Sequence, residues 1–514
     1  MTWIDYLVFA LYALSLVAIA FYARGHAGSV DDFLLAGKRG LGGWMTAFAY
    51  GTTYFSAVIF IGYAGNFGKQ YGLASVWIGV ANALLGSLLA WALLARRTKN
   101  MTARLASRTM PDFFAKRYGS ARLRTVTAAI IFLLLIPYSA SVYNGLSVLF
   151  ERVFGIPGWA VMIALAALTA LYLFFGGYFA TALSDFVQGI VMLVGVVLMV
   201  LFFLGSPQVS FDLSALVSDP EHTWFPFGSE QGGLYGSTVS LISLIGLTSF
   251  GVFALPQTVH KYYAIRDKAA INRGMIVSTV FALVIGFGAY FTGALSGLFP
   301  ELSAVPGDRV VPEMLILVIP AGLMGVIAIL VLSASMSTLS SVSLASASVV
   351  AVDLYKGAVR KDASDRRVNT VMRLLCLAFI VLSVVLALLN EEFGITAIAY
   401  MMGISWGTLA GCFLGPFVLG LFWQRVSRPA VWASIGSSLF LTVALIIFFG
   451  YDKSGYACSF PEALRVGVGC SPMIGVICMI ASLVITTVVS LLTAPPSEET
   501  LYAAFAAPLE NEIK

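Results

Sequence analysis

The run Ser333-Ala334-Ser335-Met336-Ser337-Thr338-Leu339-Ser340-Ser341 lies inside a stretch otherwise built of Leu, Ile, Val, Ala and Met. Hydroxyls stand there where hydrophobicity alone calls for carbon facing lipid or a core. Residues three and four apart share one face of a helix, so Ser337, Ser340 and Ser341 point the same way with Thr338 beside them. Such a face suits a hard cation. It also suits packing, because small hydroxyl residues let two membrane helices approach closely and hydrogen-bond back to their own carbonyls. By itself the run fits packing better than binding, and its surroundings must decide.

Those surroundings belong to a membrane protein. Of 514 residues, 59% are hydrophobic and only 11% charged, and the mean hydropathy of +0.92 lies far outside the range of a water-soluble chain. Five cysteines and three histidines (His26, His222, His260) are scattered without metal-ligand or redox spacing. Metal-hydrolase and nucleophile-base chemistry therefore lack their parts, so the chain reads as no enzyme and without an organic cofactor. The first apolar run, about Ile4 to Ala23, carries Asp5, has no basic residue before it and is followed by Arg24. It reads as a membrane helix, not a signal peptide.

Crossing the hydrocarbon takes about 20 mainly apolar residues, and thirteen such spans are predicted: 4–24, 42–66, 72–96, 122–150, 156–177, 180–204, 235–260, 270–298, 312–354, 367–389, 394–423, 428–450 and 470–493. An odd count puts the termini on opposite sides. With the N-terminus outside, only Lys69, Arg152, Arg309, Lys453 and Arg465 among the 30 Lys and Arg residues fall in outer segments, the skew that cytoplasmic retention of basic loops produces. The net charge of +5 is thus orientation rather than a nucleic-acid surface. The expected location is the cell (inner) membrane, with the lipid bilayer as solvent, the C-terminus in the cytoplasm and a monomer as the working unit.

The outer segment 206–235 holds Asp212, Asp219, Glu221 and Glu230 with no basic residue and reads as a solvated loop. A second, 451–471, contains Cys458 and Cys470, a candidate disulfide on an oxidising side. The span 312–354 is too long for one upright crossing and must tilt, bend or protrude. Residues 494–514 read as a short cytoplasmic tail without room for an output domain, which weighs against a membrane nutrient sensor, the non-transport alternative.

Two spans are interrupted. In 42–66, Gly51, Thr52 and Thr53 sit mid-membrane between Tyr50 and Tyr54; in 235–260, Gly246, Thr248, Ser249 and Gly251 do the same. Paired interruptions at corresponding places in two halves point to a transporter with inverted repeats and a site at the midplane. Five spans separate them, which sets one repeat at 42–204 and the other at 235–424, with 4–24 as an extra N-terminal helix and 428–493 as two extra C-terminal helices. The serine run falls on the third member of the second repeat.

At this point the residues resemble a known family, the sodium:solute symporters, over roughly residues 30 to 430. The likeness rests on Asp32-Phe33-Leu34-Leu35-Ala36-Gly37-Lys38-Arg39, Met110-Pro111-Asp112-Phe113-Phe114-Ala115-Lys116-Arg117-Tyr118-Gly119, Ser184-Asp185-Phe186-Val187-Gln188-Gly189 and Met336-Ser337-Thr338-Leu339-Ser340, in that order. The resemblance implies an all-α membrane fold with a LeuT-type 5+5 inverted-repeat core plus extra helices, and sodium-coupled import of a small solute by alternating access. It also implies a first sodium site made by the carbonyls of Thr52, Phe55 and Ala334 and the hydroxyls of Ser337 and Thr338. Five neutral oxygens suit a monovalent ion, whereas a divalent one normally recruits carboxylates. A second sodium, as in the sialic acid carriers, would match Asp185, Ser340 and Ser341. Asp185 has two other readings: contact with interfacial water, or a proton relay that would make the coupling ion a proton.

The substrate pocket of such a fold faces Tyr54 and Ser56 on the first broken helix, Tyr138 and Asn144 on the third core helix, Thr248, Ser249 and Phe253 on the second broken helix, and Ser405 with Trp406 on the tenth. For each of these, helix packing is the competing role. No Arg or Lys occurs between Arg124 and Glu151, so the arginine that grips a carboxylate in sialic acid carriers is missing. Tyr54 replaces a proline carrier's aspartate and Thr248 its tryptophan. Local likeness to pantothenate and monocarboxylate carriers, through Thr53-Tyr54-Phe55-Ser56-Ala57 and Leu255-Pro256-Gln257-Thr258, ranks a small organic anion first. A neutral sugar or amino acid ranks second.

Overall fold

The computed structural model describes residues 2–26, 28–35, 42–218, 224, 237–394, 398–456 and 458–506. Asp219, Glu221 and Glu230 of the expected outer loop, His222, the motif residues Ala36 to Arg39 and the end of the tail lie outside the described residues. Those described form helices and connections, with no strand among them.

In chain order the long helices are α1 (Trp3–Ala23), α2 (Gly43–Thr53), α3 (Val58–Arg104), α4 (Ala121–Phe154), α5 (Gly158–Leu204), α6 (Ser237–Gly251), α7 (Pro256–Tyr263), α8 (Lys268–Leu298), α9 (Gly307–Val318), α10 (Met324–Val359), α11 (Asp365–Phe393), α12 (Ile398–Phe422), α13 (Arg428–Ser454) and α14 (Ser471–Leu492). Burial ranks them. The most apolar window of α10 is 94% buried and that of α12 83%, against 22% for α1 and 28% for α13. The serine-bearing helix is therefore the axis of the bundle, packed against α1, α2, α4, α5 and α11, and lipid-facing carbon belongs to the outer helices. Close approach elsewhere uses glycine: a Cβ on Gly79 would lie 2.4 Å from the Gly286 carbonyl carbon, so α3 and α8 touch backbone to backbone.

Eleven described helical spans are long and apolar enough to cross a membrane, against thirteen expected. The difference resides in α3 and α5, each 47 residues. At 1.5 Å per residue each would run roughly 70 Å if straight, more than twice the hydrocarbon thickness of about 30 Å. Both contain a glycine whose backbone no helix adopts: Gly72 (φ 52°, ψ −134°) and Gly177 (φ 54°, ψ −145°). These are the two places where the hydropathy pattern divides spans.

The expected single span 312–354 is corrected. α9 ends at Val318, Ile319 is extended (φ −82°, ψ 126°), Pro320 follows, and α10 starts afresh at Met324. Proline disfavours helical geometry in the residue before it, so the long apolar run is two elements, of which α10 with 36 residues still exceeds one upright crossing. The candidate disulfide is also corrected, since Cys458 and Cys470 are both free thiols. The ten-residue helix Phe460–Gly469 separates them, a rise of about 15 Å, and Cys470 turns inward beside Ile446, Phe449 and Ile474.

Between the long helices, α9 acts as a brace. Its Asp308 accepts hydrogen bonds from the Asn66 side chain on α3 and from the Ile398 N–H of α12 at 3.4 Å. Burial nevertheless pushes the Asp308 carboxyl up to about 6, the two hydrogen bonds opposing it only in part.

Two tests follow from this architecture. Gly177→Ala places a Cβ 2.7 Å from the Phe33 ring and in backbone territory reserved for glycine, a cost of about 1–3 kcal/mol from the dihedral alone. It should melt well below the parent in detergent, whereas Gly436→Ala on α13, with open space around it, should melt with the parent or slightly above; equal melting of the two variants would rule out a turn at Gly177. For Asp308, the folded form holds its proton to higher pH than the unfolded chain, whose carboxyl ionises near pH 4. Its contribution to stability is complete below pH 4 and is lost as pH rises through about 6. Thermal unfolding from pH 4 to 7 should show the parent losing ground relative to Asp308→Asn across that window, and a constant gap between them would remove Asp308 as the titrating group.

Candidate functional site

The site begins where α2 stops. Thr52 returns its hydroxyl to the Phe48 carbonyl at 2.8 Å, and Thr53 does the same to Ala49. Tyr54 then leaves the helix (φ −115°, ψ −1°). The chain restarts at Val58 with a wide turn, its first N–H groups capped by hydroxyls: Ser56 Oγ accepts from Val58 N–H at 3.2 Å and Ser335 Oγ accepts from Ala57 N–H at 3.0 Å. The break thus falls one turn after the Gly51-Thr52-Thr53 cluster named from the sequence. Gly51 serves contact instead, because a Cβ there would lie 2.7 Å from the Phe281 ring. The second break is displaced the same way: α6 continues to Gly251, and α7 begins with Pro256 at its first position, where a missing N–H costs nothing.

Across from the first break stands the hydroxyl ladder of α10, with Ser333, Ser335, Ser337, Thr338 and Ser340 at 0% exposure. Ser337 Oγ lies 3.0 Å from the Thr52 carbonyl and 2.9 Å from that of Ala334. Thr338 Oγ1 lies 3.5, 3.3 and 3.2 Å from the carbonyls of Thr52, Phe55 and Ala334. The five oxygens named from the sequence are thus linked by pairwise contacts of 2.9–3.5 Å, contributed by the end of one helix, the break that follows it and one turn of its neighbour.

The Asp185, Ser340 and Ser341 group is placed differently. Ser340 Oγ donates to its own helix, at the Ser337 carbonyl (3.0 Å). Ser341 and Asp185 do meet, through a residue that sequence reasoning passed over: Lys261 Nζ lies 2.9 Å from Ser341 Oγ and 3.4 Å from Asp185 Oδ2. Lys261 was placed just past the end of the 235–260 span, among the inner basic residues, when it belongs to the last turn of α7 and is 2% exposed. The remainder of the Ser184 to Gly189 motif holds α5 in place. Gln188 donates to the Tyr12 hydroxyl of α1 at 3.0 Å, and Gly189 lets Phe48 come within 2.2 Å of where a Cβ would be.

Beside the first break is a small cavity of about 20 Å³ lined by Tyr54, Ser56, Thr248 and Trp406, four of the expected substrate residues, and also by Tyr63, Asn82 and Tyr290. The other four expected residues stand behind it. Tyr138 supports Trp406 edge-on at 5.6 Å, Ser405 donates to the Leu134 carbonyl, Phe253 packs on Phe250, and Ser249 is wholly buried outside the cavity wall. Asn144 ties α4 to the Ala387 carbonyl of α11 at 2.9 Å. Asn82 is the clearest omission. Its amide donates to the Thr248 carbonyl at 2.6 Å and leaves its own oxygen unpaired, and its signal was being the one carboxamide in the apolar span 72–96. Among the described residues the Tyr54 and Tyr63 hydroxyls and the Trp406 indole N–H of this wall have no hydrogen-bond partner, so together with Asn82 Oδ1 the lining offers unpaired donors and an unpaired acceptor, and no charged side chain.

A larger cavity of about 800 Å³ lies at the end of the bundle where the basic loop 96–124 folds, walled by Lys99, Arg108, Arg124 and Lys356 among others. There Arg124 pairs with the fully buried Asp353 of α10 at 2.6 Å, Thr109 donates to the same carboxylate at 2.6 Å, and Arg117 donates to the Gly420 carbonyl at 3.1 Å. Residues 109–124, which include the Met110 to Gly119 motif, are therefore a clasp between that loop, α10 and the end of α12.

The fold recurs in known proteins. A solved structure of a Na+-coupled sialic acid symporter in a substrate-bound outward-open state superposes with a TM-score of 0.76 at 18% identity, covering 97% of this chain and 99% of that one. A nucleobase-cation-symport-1 family transporter in a closed conformation gives 0.52 at 16% identity, over 93% and 98%. These likenesses establish a LeuT-type fold. In sequence, the osmoregulated proline transporter OpuE of Bacillus subtilis is 28% identical over 456 residues, 86% of this chain and 89% of the relative. The sodium/pantothenate symporter of Haemophilus influenzae is 28% identical over 450 residues, 85% and 89%. The sequence profile of the Sodium:solute symporter family matches residues 33–437, which takes in both broken helices, the hydroxyl ladder and the clasp, and the chain belongs to that family.

Proposed function

We propose that this protein is a sodium-coupled symporter that imports a small organic anion, of pantothenate or monocarboxylate type, by alternating access. One observation carries the sodium assignment: the Ser337 and Thr338 hydroxyls converge on the Thr52, Phe55 and Ala334 carbonyls. This is an all-oxygen, uncharged ligand set fitted to a monovalent hard cation. Phe55 belongs both to that set and to the wall of the small cavity, so the ion and the solute share a hinge. Each sodium entering down a potential of 100 mV supplies about 2.3 kcal/mol, enough for roughly 50-fold accumulation of a neutral solute.

For the solute, the support is the chemistry of the cavity. Tyr54, Tyr63 and Trp406 present unpaired donors, no carboxylate lines the wall to receive an ammonium group, and the neighbouring sodium adds positive charge. The larger cavity, lined by Lys99, Arg108, Arg124 and Lys356, serves in this reading as the cytoplasmic vestibule through which an anion leaves. A neutral amino acid is the second reading, favoured by the proline carriers among the relatives. The topology that accompanies the proposal has thirteen crossings, with α3 and α5 each turning at its glycine, the repeats at 42–204 and 235–424, and the N-terminus outside. The protein acts as a monomer in the cell membrane.

Proteoliposomes with an imposed sodium gradient should accumulate solute, and an equal proton gradient should not; accumulation driven only by protons would end the sodium assignment. Thr338→Ala should lower apparent sodium affinity at least tenfold while leaving folded yield intact, a loss of about 1.4 kcal/mol or more. Unchanged sodium activation in that variant would contradict the cage. To rank solutes, thermal stabilisation of the purified protein should be measured with carboxylates, amino acids and sugars, each with and without sodium. A shift seen only for carboxylates in sodium is expected, and one confined to proline would decide for the second reading.

A further inference from the structure

Lys261 takes no part in the cage, the cavity or the clasp, yet it is among the most enclosed charges in the molecule. Its Nζ sits 2.9 Å from Ser341 Oγ and 3.4 Å from Asp185 Oδ2, and 5.0 Å above the centre of the Tyr178 ring. Lysine and aspartate are 2% and 0% exposed. Ser341 Oγ is in turn 3.3 Å from Thr53 Oγ1, the last helical residue before the first break. A carboxylate from α5, a hydroxyl from α10 and an aromatic face thus converge on one ammonium group carried by α7.

That group has the charge of a sodium ion and stands among the oxygens a second sodium would use. It differs in being covalently tethered by four methylenes. A free cation entering between Asp185 and Ser341 would meet a like charge already paired with the carboxylate. We propose that Lys261 is a built-in cation that takes the place of a second transported sodium and fixes the coupling at one sodium per solute. The proposal rests on the symport reading of the first site and adds its stoichiometry. With one ion, the membrane potential contributes its roughly 50-fold factor once and not squared. The pairing Thr53–Ser341–Lys261–Asp185 also joins α2, α10, α7 and α5 whether or not sodium is present.

The test counts ions on the full-length purified protein, using radioactive sodium alone in equilibrium binding and sodium activation of uptake in proteoliposomes. The parent should bind one sodium per chain and activate with a Hill coefficient near one. Lys261→Ala, which vacates the position and leaves Asp185 unpaired, should bind a second sodium and move the coefficient towards two. Lys261→Ala combined with Asp185→Asn should return to one. Lys261→Arg, which keeps the charge, should also stay at one and serves as the readout should the alanine variant fail to fold. Two sodium ions on the parent would overturn the proposal while leaving the first site standing, as would a single ion on a well-folded Lys261→Ala. Zero on the parent would bring down the symport reading together with this one.

Discussion

A helix broken inside a membrane is the constraint from which the rest of this structure follows. Backbone N–H and C=O groups freed in the hydrocarbon have no water to turn to, and each left unsatisfied costs several kcal/mol. Between Thr53 and Val58 the chain frees several at once, and α10 supplies most of their partners. Ser335 takes the Ala57 N–H, while Ser337 and Thr338 donate to Thr52 and Phe55. A helix doing this cannot also face lipid, which is why α10 is the most buried of the described spans and is packed against α1, α2, α4, α5 and α11. The hydroxyls of the serine run divide accordingly: Ser340 bonds only back to its own helix, at the Ser337 carbonyl, as packing hydroxyls do, whereas Ser337 and Thr338 bond back to Ala334 and also reach across to the broken helix.

The parts of the fold legible in the sequence are those written as composition over a distance. Hydropathy places the spans, and paired glycine-containing interruptions locate both broken helices. What escaped was decided by single residues whose partners are far away in the chain. The glycines near each break suggested that the backbone unwinds there, but Gly51 is small because Phe281 presses on it, and unwinding begins where threonine side chains have taken the preceding carbonyls. The long run 312–354 contained its own stop signal in Pro320, which a window average of hydropathy smooths away. Asn82 and Lys261 were outweighed by the segments around them. One was a polar residue in a span counted as plain carbon, the other a cation counted with the loop beyond a helix end. Burial of a charge is legible only with its partner, and Asp185 lies 76 positions away.

The two polar centres on α10 divide the work between something that leaves and something that stays. The group around Ser337 and Thr338 is built from neutral dipoles, so the sodium proposed for it would be held there without a fixed counter-charge. The neighbouring centre is a closed ion pair. Breaking such a pair by removing one partner leaves an uncompensated buried charge, so it resists opening and holds α5, α7 and α10 in one register. Thr53, in contact with Ser341, attaches the N-terminal half of the broken helix to that group.

The C-terminal half is attached elsewhere. Asn66, beyond the break, bonds to Asp308 of α9, and Asp308 accepts from the first turn of α12. The break at 54–57 therefore lies between two separately anchored segments, and the angle between them is a degree of freedom that few covalent or ionic contacts oppose. An ion bridging Thr52 on one side and Phe55 within the turn spans that hinge, and Tyr54, between them, lines the cavity. In the proposed cycle, fixing this angle and shaping the solute wall would be the same event: an ion with different affinity for two angles would shift the population that the solute meets, by no more than that difference in affinity.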